Sequence, residues 1–230
     1  MKPEQMKHYG LLAVFTVLIC AAYLWWNSSV SGPGFPLDDS WIHQTFARNL
    51  AETGRWEYVR GEPAAGSTSP LWTGLLSVGY LLGISYQGWT VALGIIGLAL
   101  AAVVFERVWR AYRPSQGKPV WPLFGALIAS EWHLVWSALS GMETVLYILA
   151  IGLVFYLLLK ADPPWLLLGG LTGLLVWVRP DGLTLLGPVL LLALWNNKPW
   201  PQKMKDAVLV LAGLIVPIGL YLTFNYRLDG

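Results

Sequence analysis

The sequence predicts an all-α fold: a polytopic membrane helix bundle of about seven transmembrane helices, with a large first outer loop. Three observations carry this reading. Hydrophobic residues make up 56% of the 230 and charged residues only 12%, against about 45–50% and about 25% in ordinary globular chains. Runs without a single Asp, Glu, Lys or Arg extend over 8–37, 63–105, 144–159, 163–178, 182–197 and 207–226. The basic residues between those runs fall in alternate connecting segments. A disordered chain, a nucleic-acid binder and a water-soluble enzyme are excluded, because so few charges could not cover the apolar surface. Catalysis in a membrane is not. The one cysteine, Cys20, lies in an apolar run, so no disulfide framework is expected and the thiol reads as packed.

A bilayer core of about 30 Å takes about 20 mostly apolar residues per helix. On that measure spans are expected at 9–26, 87–105, 119–138, 144–159, 165–178, 183–196 and 207–224, with 165–178 and 183–196 the shortest. The first follows Lys2 and Lys7 as a signal peptide would, and Ser29-Val30-Ser31 is a passable cleavage site. Its apolar run from Leu11 to Trp26 exceeds a usual signal core, which favours an uncleaved anchor.

Pro70 to Ile84 decides the topology. If it lies at the outer interface, the inner segments hold Lys2, Lys7, Arg107, Arg110, Arg113, Lys118, Lys160, Lys198, Lys203 and Lys205, ten of the 15 basic residues. If it crosses, eight of those ten move outside. The positive-inside rule favours the first arrangement, with the N-terminus cytoplasmic and 27–86 one extracytoplasmic element. Pro70, Gly74, Gly79 and Gly83 also make a poor span.

The outer loop opens with Ser31-Gly32-Pro33-Gly34-Phe35-Pro36, which stops a helix. The stretch 37–54, LDDSWIHQTFARNLAETG, then reads as a surface amphipathic helix, with Asp39 or Ser40 as N-cap, Ile42, Phe46 and Leu50 on its apolar side, and Gly54 as its stop. Asp38 and Asp39 stand at its start. Acids there suit the helix dipole, and a carboxylate is also the group to deprotonate an attacking alcohol. Residues 60–72, RGEPAAGSTSPLW, place Ser67, Thr68 and Ser69 close after Glu62 in a turn before Pro70.

Two further outward loops carry charge. SGMET (140–144) puts Glu143 at the start of a span, and VRPDG (178–182) holds Arg179 and Asp181. Arg179 could simply pair with Asp181; its planar fork also suits phosphate oxygens. Glu131 and His133 fall within the third span, where ionisable groups point to function, although His133 could equally pack on Trp132 or Trp136. No histidine cluster has zinc-ligand spacing. Mg²⁺ or Mn²⁺ on Asp39 or Glu143 stays open as a cofactor.

The series LDDSWIHQTFARNLAETGRW, GEPAAGSTSPLW, SGMET and RPDG resembles the GT-C superfamily of integral-membrane glycosyltransferases, nearest its arabinofuranosyl- and mannosyltransferase-like branch, over residues 30–230. Each motif alone is weak; the four in order on one side are specific. The resemblance implies a seven-helix module with juxtamembrane helices in the first outer loop, in a bacterial or archaeal cell membrane. It implies a polyprenyl-phosphate-linked sugar as donor and transfer, usually with inversion, to a glycan, lipid or protein acceptor on the extracytoplasmic side. Asp39 and Asp38 match the family's catalytic pair. Glu143 matches its second outer-loop acid, and Arg179 with Asp181 its arginine-acid motif. The candidate substrate-binding set is therefore Arg179, Asp181, Glu143, Glu62, Ser67, Thr68 and His43. The chain departs from the pattern where relatives carry an acid just before the glycine of the GSTSPLW segment, since Ala65 precedes Gly66 here. Relatives also continue past the seventh span, whereas this sequence stops at Gly230. The rival expectation is a catalytically silent GT-C-derived accessory subunit of a larger membrane complex. A solute transporter fits less well, because no internal repeat is present.

Overall fold

The computed structural model describes residues 3–30, 34–113 and 121–229. Ser31-Gly32-Pro33, Lys118, Lys2 and Gly230, all used above, lie outside the described residues. Apart from a two-stranded antiparallel hairpin, β1 (Glu57–Val59) with β2 (Glu62–Pro63), the described fold is helical. The order is α1 (Pro3–Val30), α2 (Asp38–Thr53), the hairpin, α3 (Pro70–Leu81), α4 (Tyr86–Tyr112), α5 (Leu123–Ser130), α6 (Trp132–Leu139), α7 (Thr144–Leu158), α8 (Trp165–Leu175), a 3-10 turn (Pro180–Leu185), α9 (Leu186–Leu194) and α10 (Trp200–Asp229).

Three of these helices are long and apolar enough to cross a membrane, over Gln5–Val30, Tyr86–Tyr112 and Trp200–Leu228. Helix length and apolarity thus support three of the seven expected spans, and the segments 144–158, 165–175 and 180–194 are shorter apolar helices. The expected span 119–138 is two short helices, because Glu131 is extended (ψ 119°) and its carboxylate caps α6, accepting the Leu134 N–H at 2.9 Å. The span 183–196 divides into a 3-10 turn and α9. α7 has 15 residues and α8 has 11, about 22 and 16 Å long at 1.5 Å per residue.

The chain runs back and forth between two ends. At one end Arg107 of α4 lies over Tyr9 of α1 and Tyr156 of α7, Glu106 accepts the Gly125 N–H at 2.9 Å, and Lys198 reaches Asp206 at 2.8 Å. We call this the basic end. At the other end sit α2, the hairpin, α3, the α6–α7 turn and the end of α8. There Trp56 packs on Phe224 of α10, and the Trp177 indole donates to the Pro217 carbonyl at 2.9 Å. α3 belongs wholly to this second end, because Leu71 N–H donates to the Trp177 carbonyl at 2.9 Å and the Trp89 indole, at the start of α4, donates to Leu75 O at 2.8 Å. Its 12 residues make about 18 Å of helix, too short to cross a bilayer core.

Cys20 is fully buried among Leu98, Val135 and Ala138, so its thiol is packed. Small residues let helices touch backbone to backbone, as membrane bundles favour. A Cβ at Gly94 would collide with the Ala138 carbonyl, and one at Gly213 with the Leu166 carbonyl. Gly94→Ala is therefore expected to cost about 1–3 kcal/mol, as overpacking does. A melting midpoint in detergent equal to that of the parent would refute the close contact of α4 with α6.

Candidate functional site

α2 is capped two residues before Asp39 and three before Ser40, the two expected caps. Leu37 is the N-cap and supplies no side-chain bond; Asp38 Oδ1 instead accepts the Asp39 N–H at 3.0 Å. Ser40 spends its hydroxyl elsewhere, donating to the Ser140 carbonyl at 2.7 Å. Gly54 stops the helix as expected, with φ +70° and its N–H on Leu50 O. The expected apolar side was wrong in detail. Ile42 and Leu50 are only partly covered, and the buried face comprises Ser40, His43, Gln44, Phe46, Ala47 and Asn49. Polar side chains can be buried here because each meets a partner. Gln44 bridges Thr90 at 2.8 Å and the Tyr80 hydroxyl at 2.9 Å, and Asn49 donates to Glu57 O and Tyr58 O, both at 3.0 Å.

His43 is the hub. Its Nδ1 faces Ser67 Oγ at 3.0 Å and Thr73 Oγ1 at 3.3 Å, and those two hydroxyls bond each other at 2.8 Å. Its Nε2 faces Glu143 Oε2 at 3.4 Å, with both side chains almost wholly buried. That contact is long for a hydrogen bond and reads as electrostatic, which leaves both buried atoms without a well-formed partner. The second Glu143 oxygen meets Arg179 Nη1 at 3.1 Å, Arg179 Nε meets Asp181 Oδ1 at 3.2 Å, and the guanidinium lies 5.9 Å over the Tyr147 ring. A continuous polar chain thus runs Thr73–Ser67–His43–Glu143–Arg179–Asp181.

Backbone geometry brings these segments together. Gly141 has φ +87°, and a Cβ there would strike Phe35 and Ser40. Only glycine lets the α6–α7 turn lie against the start of α2. The Trp72 indole seals the other side, donating to Gly141 O at 2.9 Å. Arg179 is extended and precedes Pro180, which starts the 3-10 turn.

Electrostatics favour a charged pair. Burial acts to raise the Glu143 pKa, but the facing His43 imidazole, a backbone hydrogen bond and the Arg179 charge outweigh it, so it lies below the ordinary value. Burial acts to lower that of Arg179, and the Asp181 bond with the Glu143 and Asp181 charges lifts it above the ordinary value. Glu143 does not suit a divalent cation, because one oxygen faces a guanidinium and the other an imidazole. Among the described residues no three His, Cys, Asp or Glu side chains converge as a metal set.

The remaining candidates sit apart from this chain. Asp38 and Asp39 are exposed at the start of α2, and Asp39 is one turn before His43, on the same side of the helix. Thr68 is exposed beside buried Ser67, and Glu62 is exposed on β2, away from the polar chain. Glu131 and His133 pair with each other at 2.7 Å, and His133 stacks on Trp132 with centroids 4.2 Å apart. The sequence reading missed Thr73 and Tyr147, whose spacing to the loop motifs gives no sign of contact. Beside Arg179 a small apolar cleft of about 150 Å³ runs between α3, α7 and α8, lined by Leu71, Leu146, Leu149, Leu171, Leu174 and Val178 among others.

No family model matches the chain, and no curated protein and no solved structure matches it.

Proposed function

We propose that the chain is an integral-membrane glycosyltransferase that moves a sugar from a polyprenyl-phosphate donor to an acceptor hydroxyl on the extracytoplasmic side. The observation that carries this reading is that Val178 and Leu146, which line the apolar cleft, are next in sequence to Arg179 and to Tyr147, over whose ring the Arg179 guanidinium lies. A partly exposed guanidinium, pre-oriented by Glu143 and Asp181, beside a groove for hydrocarbon suits a phosphate with a lipid tail. Asp39 is the base. Asp38 already accepts a backbone N–H, whereas the Asp39 carboxylate is exposed and accepts no hydrogen bond among the described residues. In the reaction the acceptor O–H proton passes to Asp39 and the oxygen bonds to the anomeric carbon. The bond from that carbon to the phosphate oxygen breaks, and the phosphate leaves with the electron pair, its charge held by Arg179. A single displacement of this kind inverts the anomeric centre.

Purified protein in nanodiscs, given a radiolabelled polyprenyl-phosphate sugar, tests the donor half. Arg179→Gln is expected to weaken donor binding by about tenfold or more, as loss of a charge-assisted hydrogen bond does. Parent-level affinity in that variant would remove the phosphate assignment.

Sidedness is tested separately. Thr68 and Thr184 are exposed at the end that carries the site and serve as labelling positions. In a Cys20→Ala background, Thr68→Cys and Thr184→Cys should react with an impermeant maleimide on intact cells, and Lys160→Cys at the basic end should not. The opposite pattern would put the site in the cytoplasm.

The accessory-subunit reading draws on α1 and α10, whose spanning stretches are only 17% and 11% buried within the chain. Lipid covers such faces as well as a partner does. Co-purification of a stoichiometric membrane partner, together with no sugar transfer by the isolated chain, would favour it.

A further inference from the structure

A second cavity lies on the other flank of the α2 start, with a volume of about 710 Å³, inside the range of small-molecule sites. It is walled by α1, α4, α6 and the segment entering α2, through Tyr23, Asn27, Trp41, Gln87 and Trp136 among others. No charged side chain lines it among the described residues. Phe35 and Trp41 line it with ring centroids 5.5 Å apart and planes tilted by 57°, and both pack on Tyr86. The Asn27 and Gln87 amides, the Tyr23 hydroxyl and the Trp136 indole make no hydrogen bond within the described chain. All four residues are half-buried. All four line one space, where they are free to bond what fills it.

We infer that this cavity binds a neutral carbohydrate. An anion would find no cation there, and a hydrocarbon chain would strand four unpaired donors and acceptors, a costly exchange. A sugar ring answers both demands: its C–H face lies on aromatic rings and its hydroxyls bond amides and an indole N–H. The place fits too. Pro36 and Trp41, which line the cavity, bracket Asp38 and Asp39 in sequence, and Ser140 contributes to its wall while its carbonyl holds Ser40. The carbohydrate is therefore the acceptor, an uncharged glycan whose hydroxyl is presented to Asp39; the word acceptor rests on the transferase reading, and the binding does not.

The test uses the full chain in nanodiscs, titrated with neutral oligosaccharides of two to four residues and with uronate-containing oligosaccharides of the same size, followed by saturation-transfer NMR and calorimetry without any donor. Saturable binding of a neutral glycan is expected, with the uronate forms weaker. Asn27→Leu with Gln87→Leu should weaken binding by about tenfold, Trp136→Ala by at least as much, and Trp136→Phe, which keeps the ring, by less. Arg179→Gln should leave it unchanged, so failure of the donor assignment and failure of this one are told apart. Melting curves confirm that each variant is folded, and Trp136→Phe serves where the alanine form is not. No saturable binding, a preference for the charged glycans, or full affinity in the double leucine variant overturns the inference.

Discussion

Asp39→Asn is expected to lower the rate of sugar transfer by about 10²–10⁴-fold, the usual contribution of a positioned general base, with donor binding unchanged. The substitution keeps the shape and the helix start, because the Asp39 side chain makes no hydrogen bond within the described chain. Asp38→Asn should do much less, since the amide oxygen can still accept the Asp39 N–H. Transfer assays at saturating donor separate the two. Equal and small losses in both variants would move the base elsewhere.

The largest structural effect is expected at Glu143. Glu143→Ala removes the carboxylate that faces both His43 and Arg179, and should cost about 3 kcal/mol, the low end for breaking a buried ion pair. The low end applies because Arg179 is 39% exposed and keeps Asp181. The pH dependence has a definite sign. The Glu143 carboxyl titrates below its unfolded value in the native state, so its contribution is present above the unfolded pKa, about 4.3, and is lost as pH falls through the lower native one. The gap in melting temperature between the parent and Glu143→Gln should be widest near neutrality and narrow progressively as pH falls below the unfolded value. A gap that persists unchanged to pH 2 would show that the charge is not what stabilises the clamp.

Much of this organisation is legible in the residues. Gly54 and Pro70 mark the helix boundaries that they appear to mark, and the segregation of basic residues puts α3 with α2 and not across the bundle. Other parts are hidden. Alternation of charge and apolarity cannot reveal that α2 buries His43, Gln44 and Asn49, because their partners are up to 100 residues away in sequence. Nor does hydropathy show the break at Glu131, since SEWHLVWS remains apolar enough to read as one run and the break is a local cap. Helix lengths fail for the same reason: apolar composition counts residues through a 3-10 turn and a cap alike.

The clamp draws on residues 43, 67, 73, 143, 179 and 181, and this has a consequence for the order of events during synthesis. Chains assemble from the N-terminus, so α2 and α3 emerge before the acid that faces His43 exists. Until α7 and the end of α8 arrive, His43 has Ser67 and Thr73 but no carboxylate. The loop is therefore expected to settle fully against the bundle only once the chain has been made as far as Asp181 of its 230 residues. A chain terminated before Arg179 would leave Glu143 without its guanidinium partner, and is expected to expose α2 to proteolysis more than the full chain does.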